Sequence, residues 1–197
     1  MEIFIITKTN LDKIIKIAAE VIEKGRVIIC PTDTVYGLLC NAKNKKAVEK
    51  LFKIKKRPKG KPIPIFVKDI KMAKKLAFVD KKQEKFLKMV WPGKVTVVLK
   101  SRNVLPKILF GRTKTIGLRI PAYKLVNNLL LKLNRPLTGT SANISGKPAS
   151  TKIREVIKQF EKEKGKADLV LDAGNLKLSS PSKVIDLSGR KIKILRR

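Results

Sequence analysis

Histidine is absent from this chain of 197 residues, and there are only two cysteines, Cys30 and Cys40. Without an imidazole there is no Ser–His or Cys–His nucleophile, and a transition-metal site lacks its commonest ligand. Chemistry is left to Lys, Arg, hydroxyls, carboxylates and a hard cation carried in by a substrate. Aromatic residues make up only 5%, so a stacking surface for unpaired bases is poorly supplied. No apolar run approaches the length of a membrane span. The opening Met1-Glu2-Ile3-Phe4-Ile5-Ile6-Thr7 is too short for a secretory signal, lacks its basic lead, and reads as a first strand. The expectation is a cytoplasmic protein with no membrane association. Both cysteines end apolar runs, Val27-Ile28-Ile29-Cys30 and Leu38-Leu39-Cys40, where a reduced thiol packs as a small hydrophobe.

Acids are few as well: 15 Asp and Glu stand against 47 Lys and Arg, a formal charge of +32. Such a field attracts nucleic acid, nucleotides and other polyanions. The cations are mostly lysine, 37 against 10 arginines, and lysine spread over helix faces is also an ordinary solvated surface. Charge alone does not make RNA binding the function. With 43% hydrophobic residues, the chain is expected to fold as one domain over 1–197 around a substantial core.

Periodicity predicts helices at 11–24, 45–54, 69–77, 81–90, 124–133 and 151–163. Strands are predicted at 26–30, 63–67, 95–99, 115–120, 137–140, 168–171, 183–187 and 191–195. The proline at 64 argues for an edge strand or a bulge there. The alternation gives an α/β class built on a mixed sheet.

Several segments offer side chains for chemistry. Pro136-Leu137-Thr138-Gly139-Thr140-Ser141-Ala142-Asn143-Ile144-Ser145-Gly146 is rich in hydroxyls and glycine and nearly free of charge. It is either an ordinary polar turn or a surface that closes around oxyanions. Pro31-Thr32-Asp33-Thr34-Val35-Tyr36-Gly37 follows a strand, where hydroxyls meet a small ligand or Thr32 and Asp33 merely cap. Lys55-Lys56-Arg57-Pro58-Lys59-Gly60-Lys61-Pro62 is a solvated face or a stiffened anion-binding loop. It is not a phosphate-binding P-loop, since G-x-x-x-x-G-K-[ST] occurs nowhere. Arg119 lies in an apolar strand, paired with a structural acid or aimed into a pocket. Pro181-Ser182-Lys183 sets another hydroxyl beside a strand, and Ile194-Leu195-Arg196-Arg197 ends the chain as a basic tail or a last anion contact.

Taken in order, Pro-Thr-Asp-Thr-Val-Tyr-Gly, Lys-x-Arg-Pro-x-x-Lys-Pro, Trp-Pro-Gly, Arg-x-Pro, Thr-Ser-Ala-Asn-x-Ser-Gly, Pro-Ser-x-x-x-Asp and Ile-Leu-Arg resemble the YrdC-like threonylcarbamoyl-AMP synthases. The resemblance runs from about Ile14 to Arg196. It implies a YrdC-like α/β fold, a twisted mixed sheet with flanking helices and a basic concave pocket. It also implies an enzyme that joins L-threonine, bicarbonate or CO2, and ATP into threonylcarbamoyl-adenylate, releasing pyrophosphate. A downstream threonylcarbamoyl transferase then modifies an adenosine of tRNA. Lys55 and Arg57 would be the catalytic pair. Arg57, Lys61, Ser141, Asn143 and Arg196 would hold ATP, with Gly139 and Gly146 keeping the backbone close. Thr34, Arg119 and Ser182 would hold threonine. Mg2+ would arrive with the phosphates, with no metal site in the protein. Phe66 stands where many members have a histidine, and Lys183 where threonine is frequent. The chain resembles the short branch, without the additional C-terminal domain of the longer one. Two other readings remain: a tRNA- or double-stranded-RNA-binding module without catalysis, and a carbamoyl-transfer domain of the hydrogenase-maturation kind.

Overall fold

A computed structural model describes every residue except Lys162, Lys164, Arg190 and Arg197, so the last residue of the basic tail lies outside the described residues. Six helices carry the predicted periodicity: α1 (Leu11–Glu23), α2 (Lys45–Ile54), α3 (Ile70–Leu76), α4 (Lys81–Val90), α5 (Lys124–Leu133) and α6 (Ile153–Glu161). The starts of α2, α3 and α4 are set by side chains that accept from otherwise unpaired backbone N–H groups. Asn44 accepts from the Ala47 amide at 3.0 Å and Asp69 from the Met72 amide at 2.6 Å. Asp80 and Gln83 form a reciprocal capping box at the head of α4. α5 ends on Asn134 in the left-handed region, φ 48°, where asparagine is tolerated better than most residues. Among the described residues, no helix is long and apolar enough to cross a membrane.

The strands divide between two mixed sheets where the sequence suggested one. The first holds β1 (Glu2–Ile5), β2 (Ile28–Cys30), β3 (Gly37–Leu39), β8 (Thr140–Ser141) and β9 (Leu169–Asp172), in the order β1-β9-β2-β3-β8. The second holds β4 (Ile65–Phe66), β5 (Val95–Lys100), β6 (Thr115–Arg119), β7 (Leu137–Thr138), β10 (Lys183–Asp186) and β11 (Lys193–Arg196), in the order β11-β10-β5-β6-β4-β7. The chain passes from one sheet to the other at Gly139, between β7 and β8. Phe66 pairs with Leu137 on one side of that residue, and Leu38 with Thr140 on the other. The Gly139 amide donates to the Pro64 carbonyl at 2.8 Å. A Cβ at Gly139 would stand 2.5 Å from the Phe66 ring, so the close approach requires glycine.

Pro64 does not mark an edge. β4 lies between β6 and β7, and Pro64 precedes its two residues, so the missing N–H removes no rung of the ladder while the carbonyl is used by Gly139. The short strand β3 and a 3-10 turn at Lys107–Phe110 also lay outside the sequence expectation. Three or four residues are too few to show a period.

Strand alternation splits the interior into two cores. Ile28, Cys30, Leu169 and Leu171 pack with α1 and α5 on one face of the first sheet. Ile29 and Val170, on its other face, join Val97, Leu99, Ile116 and Leu118 of the second sheet, with α2 and α6. Each such buried aliphatic side chain contributes about 1.5–3 kcal/mol.

Candidate active site

A cavity of about 390 Å³ opens where the two sheets meet, and both contribute to its wall. From the first sheet and its turns come Thr32, Thr34, Tyr36 and Ser141; from the second come Phe66, Thr96, Arg119, Ser182 and Arg196. The basic loop after α2 adds Arg57, and Gly139 lies in the lining at the crossing point. The structure therefore brings together Thr34, Arg57, Ser141, Arg119, Ser182 and Arg196 of the predicted site residues. Lys55, Lys61 and Asn143 lie outside the lining. Lys183, at the start of β10, is exposed and also outside it, whereas Phe66 is part of the wall.

The hydroxyls come in two linked pairs. Thr32 Oγ1 and Thr34 Oγ1 lie 3.1 Å apart, and Thr32 Oγ1 also donates to the Val35 carbonyl at 2.7 Å. Across the cavity, Thr96 Oγ1 and Ser182 Oγ are 3.0 Å apart. Arg196 holds this second pair, donating from Nε to the Ser182 carbonyl at 2.8 Å and from Nη2 to Ser182 Oγ at 3.1 Å.

Arg119 answers both alternatives that the sequence left open. Its Nη2 donates to Asp33 Oδ2 at 2.8 Å in a buried ion pair, and it lines the cavity. Its Nε donates to the Gly93 carbonyl at 2.8 Å, which gives the Trp-Pro-Gly motif a local purpose. Burial lowers its pKa first of all, Asp33 opposes that, and the nearby Arg196 lowers it again. Arg57 is tied back into its own loop, Nε to the Lys61 carbonyl at 3.1 Å and Nη2 to the Pro62 carbonyl at 2.7 Å. The exposed Lys61 side chain is thus separate from what its backbone does. Three guanidiniums face one cavity, and the carboxylate of Asp33 pairs with only one of them. Such a site favours a ligand bearing more than one negative charge.

Lys55 plays a different part. It is buried beneath the Ser141–Asn143 segment, with Nζ donating to the Ser141 carbonyl at 2.6 Å, the Asn143 carbonyl at 3.0 Å and Asn143 Oδ1 at 2.8 Å. Burial, then the neighbouring Arg57, pushes its pKa down to about 7 against the pull of those acceptors. The Asn143 amide is used inside the same loop. Its Oδ1 also accepts from Ser141 Oγ at 2.6 Å, and its Nδ2 donates to the Ile144 and Lys147 carbonyls. Lys55 and Asn143 shape the loop, and Ser141 is the member that reaches the cavity.

Thr96 and Tyr36 were not predicted, and Thr32 and Asp33 were read as ligand contacts or mere caps. Thr96 had a signal, as the one hydroxyl in the apolar run Val95–Leu99. Tyr36 is buried, its hydroxyl donating to the Gly174 carbonyl at 2.7 Å and accepting from the Ala173 amide at 3.0 Å. That pairing depends on a loop more than a hundred residues away and leaves no local mark. Among the described residues, no cluster of three or more His, Cys, Asp or Glu is placed to hold a metal ion.

Comparison with known proteins places this geometry. A Methanocaldococcus jannaschii protein is 36% identical over 192 residues, covering 98% of this chain and 89% of the relative. The threonylcarbamoyl-AMP synthase of Pyrococcus abyssi is 36% identical over 88% of this chain, which spans 51% of that longer protein. The crystal structure of P. abyssi Sua5 complexed with L-threonine superposes with a TM-score of 0.91 at 34% identity, covering all of this chain and 57% of that one. E. coli YciO superposes at 0.88 with 30% identity, covering all of this chain and 96% of that one. The family profile for Sua5, YciO and YrdC, described as telomere recombination, matches residues 20–197. Fold and motif order agree with that match, and the chain belongs to the Sua5/YciO/YrdC family.

Proposed function

We propose that this protein is an L-threonylcarbamoyladenylate synthase. It joins L-threonine, bicarbonate or CO2, and ATP into threonylcarbamoyl-AMP and pyrophosphate, for transfer to tRNA by a downstream threonylcarbamoyl transferase. The observation that carries this reading is the cavity itself, with Arg57, Arg119 and Arg196 around two buried hydroxyl pairs. It is supported by relatives named for this activity and by a family structure that holds L-threonine.

The chemistry needs no imidazole. The free threonine amine forms a carbamate with CO2, its proton passing to water, and a carbamate oxygen attacks the α-phosphorus of ATP as the bond to the pyrophosphate oxygen breaks. The threonine carboxylate, the carbamate and the triphosphate must be gathered against their mutual repulsion, and charge builds on the leaving pyrophosphate. Fixed guanidiniums in a partly dry cavity offset both.

Arg119, Ser182 and Thr34 hold threonine in this account, the guanidinium taking its carboxylate. Arg57, Ser141 and Arg196 hold ATP, with Lys61 reaching the phosphates from the rim. Lys55 and Asn143 act through the loop that carries Ser141. Mg2+ enters as part of the nucleotide. A wall of hydroxyls and guanidiniums, with Asp33 already engaged by Arg119, suits a cation held chiefly by phosphate oxygens. Phe66, where many members of the family have a histidine, gives the threonine side of the pocket an apolar wall. In this account the work is cytoplasmic, where ATP and the tRNA served by the downstream transferase are at hand.

The test is pyrophosphate release by the purified protein given MgATP and bicarbonate, with and without threonine. Threonine-dependent release is the expected result; its absence contradicts the reading. Contact with tRNA or double-stranded RNA through the basic surface would weaken steeply with salt. Salt-independent retention on RNA contradicts that part alone.

A further inference from the structure

Asp33 and Arg119 belong to different sheets. Asp33 sits in the turn between β2 and β3, and Arg119 is the last residue of β6. Their ion pair spans the two halves of the molecule beside the cavity, with the side chains only 6% and 4% exposed. Each partner is held again by its own surroundings. Asp33 Oδ2 accepts a second bond, from the Ala122 amide at 2.8 Å, while Arg119 donates to Gly93 and lies 5.9 Å from the centre of the Phe66 ring. Nε and Nη2 of the guanidinium are thereby held, and among the described residues its Nη1 meets no protein acceptor. Arg119 lines the cavity; Asp33 does not. Asp33 Oδ1 is buried with no protein partner, so this carboxylate is not placed to satisfy both of its oxygens.

Buried ion pairs contribute little net stability, because desolvation offsets their attraction, and their use is in fixing one arrangement over others. Planar, two-pronged recognition of a carboxylate requires the guanidinium to be held at a set angle. Arg196 shares the cavity, and an unanchored Arg119 would turn away from that like charge.

We propose that Asp33 is a positioning residue: it locks Arg119 so that the Nη1 edge faces the carboxylate of the amino-acid substrate. This rests on the synthase reading and extends it to a residue outside the pocket wall. Asp33 holds the threonine half of the site and leaves the nucleotide half alone.

The test compares Asp33→Asn, which keeps shape and removes charge, with Asp33→Glu, which keeps charge and lengthens the arm. Circular dichroism checks folding, and calorimetry measures threonine and ATP binding separately. Asp33→Asn should weaken threonine binding and raise its KM by about tenfold or more, the scale of one charge-assisted contact. ATP affinity should stay within about twofold, and Asp33→Glu should recover part of the threonine loss. A folded Asp33→Asn that binds threonine like wild type overturns the proposal. So does one that weakens threonine and ATP alike, or an Asp33→Glu with no recovery. If Asp33→Asn does not fold, Asp33→Glu decides: weaker threonine binding with unchanged ATP binding supports the role, and wild-type threonine affinity overturns it. Failure of both to fold makes Asp33 a folding residue and also overturns it. Wild-type protein that neither binds threonine nor releases pyrophosphate refutes the synthase reading, and this proposal with it. A wild type that does both while Asp33→Asn is unaltered refutes the proposal alone.

Discussion

Replacing Gly139 by alanine tests the crossing between the sheets with one methyl group. Gly139 is not in the left-handed region, so alanine meets no backbone strain and its effect is steric. The added Cβ would lie 2.5, 2.6 and 2.8 Å from three atoms of the Phe66 ring. Ordinary contact begins near 3.4 Å, so the ring must retreat by about 1 Å, the scale of overpacking that costs about 1–3 kcal/mol. Phe66 is 4% exposed and forms part of the cavity wall, so the ring has little room except toward the substrate side. Gly139→Ala is therefore expected to lower the free energy of unfolding by that amount, read as a lower urea midpoint, and to raise the threonine KM. Phe66→Leu alone costs about 1–1.5 kcal/mol as a near-conservative core change. In the double variant the smaller side chain makes room for the methyl, and the two costs should fall short of their sum by about 1–2 kcal/mol. Equilibrium unfolding of the four proteins, with threonine-dependent pyrophosphate release alongside, gives both readouts. A Gly139→Ala protein as stable as wild type refutes the packing argument. Strict additivity does so too.

Arg57→Ala should keep the fold and lose about a hundredfold in kcat/KM, the roughly 3 kcal/mol of one preorganised contact to developing charge; a full rate in the pyrophosphate assay contradicts its place in the ATP half. Lys55→Met strips the donor from three buried acceptors around the Ser141–Asn143 loop. It should cost about 3 kcal/mol in urea unfolding and raise the ATP KM more than the threonine KM; equal rises contradict the loop role. Folded Lys55 titrates at about 7 against an ordinary 10.5. The unfolded chain therefore binds more protons between those values, and this group makes stability rise with pH across that interval. The difference in urea midpoint between wild type and Lys55→Met, followed from about pH 7 to about pH 10, should carry that slope. A constant difference contradicts the shifted pKa.

How much of this was legible in the sequence depends on how local each feature is. The helices were plain because Ile14, Ala18 and Ile22, or Ala47, Val48 and Leu51, repeat on one face and are the residues found buried. Arg119 was conspicuous as a charge in an apolar strand, but its partner Asp33 lies 86 residues earlier, and no local pattern links them. The hydroxyl segment Pro136–Gly146 was visible as a polar, glycine-rich run. That it carries the chain between two sheets was not, since β7 and β8 are two residues each and their partners Phe66 and Leu38 are distant in sequence. The division of labour within the motif was equally hidden. Lys55 and Asn143 hydrogen-bond each other and build the loop, while Ser141 faces the cavity, because burial assigns those places and spacing does not.

The central claim is that a carbon from bicarbonate ends up between threonine and AMP. Mass spectrometry of the product formed from 13C-bicarbonate, L-threonine and MgATP tests it most directly. The account predicts a threonylcarbamoyl-adenylate that carries the heavy carbon. An adenylate of threonine itself without that carbon, or no threonine-containing adenylate at all, would contradict it.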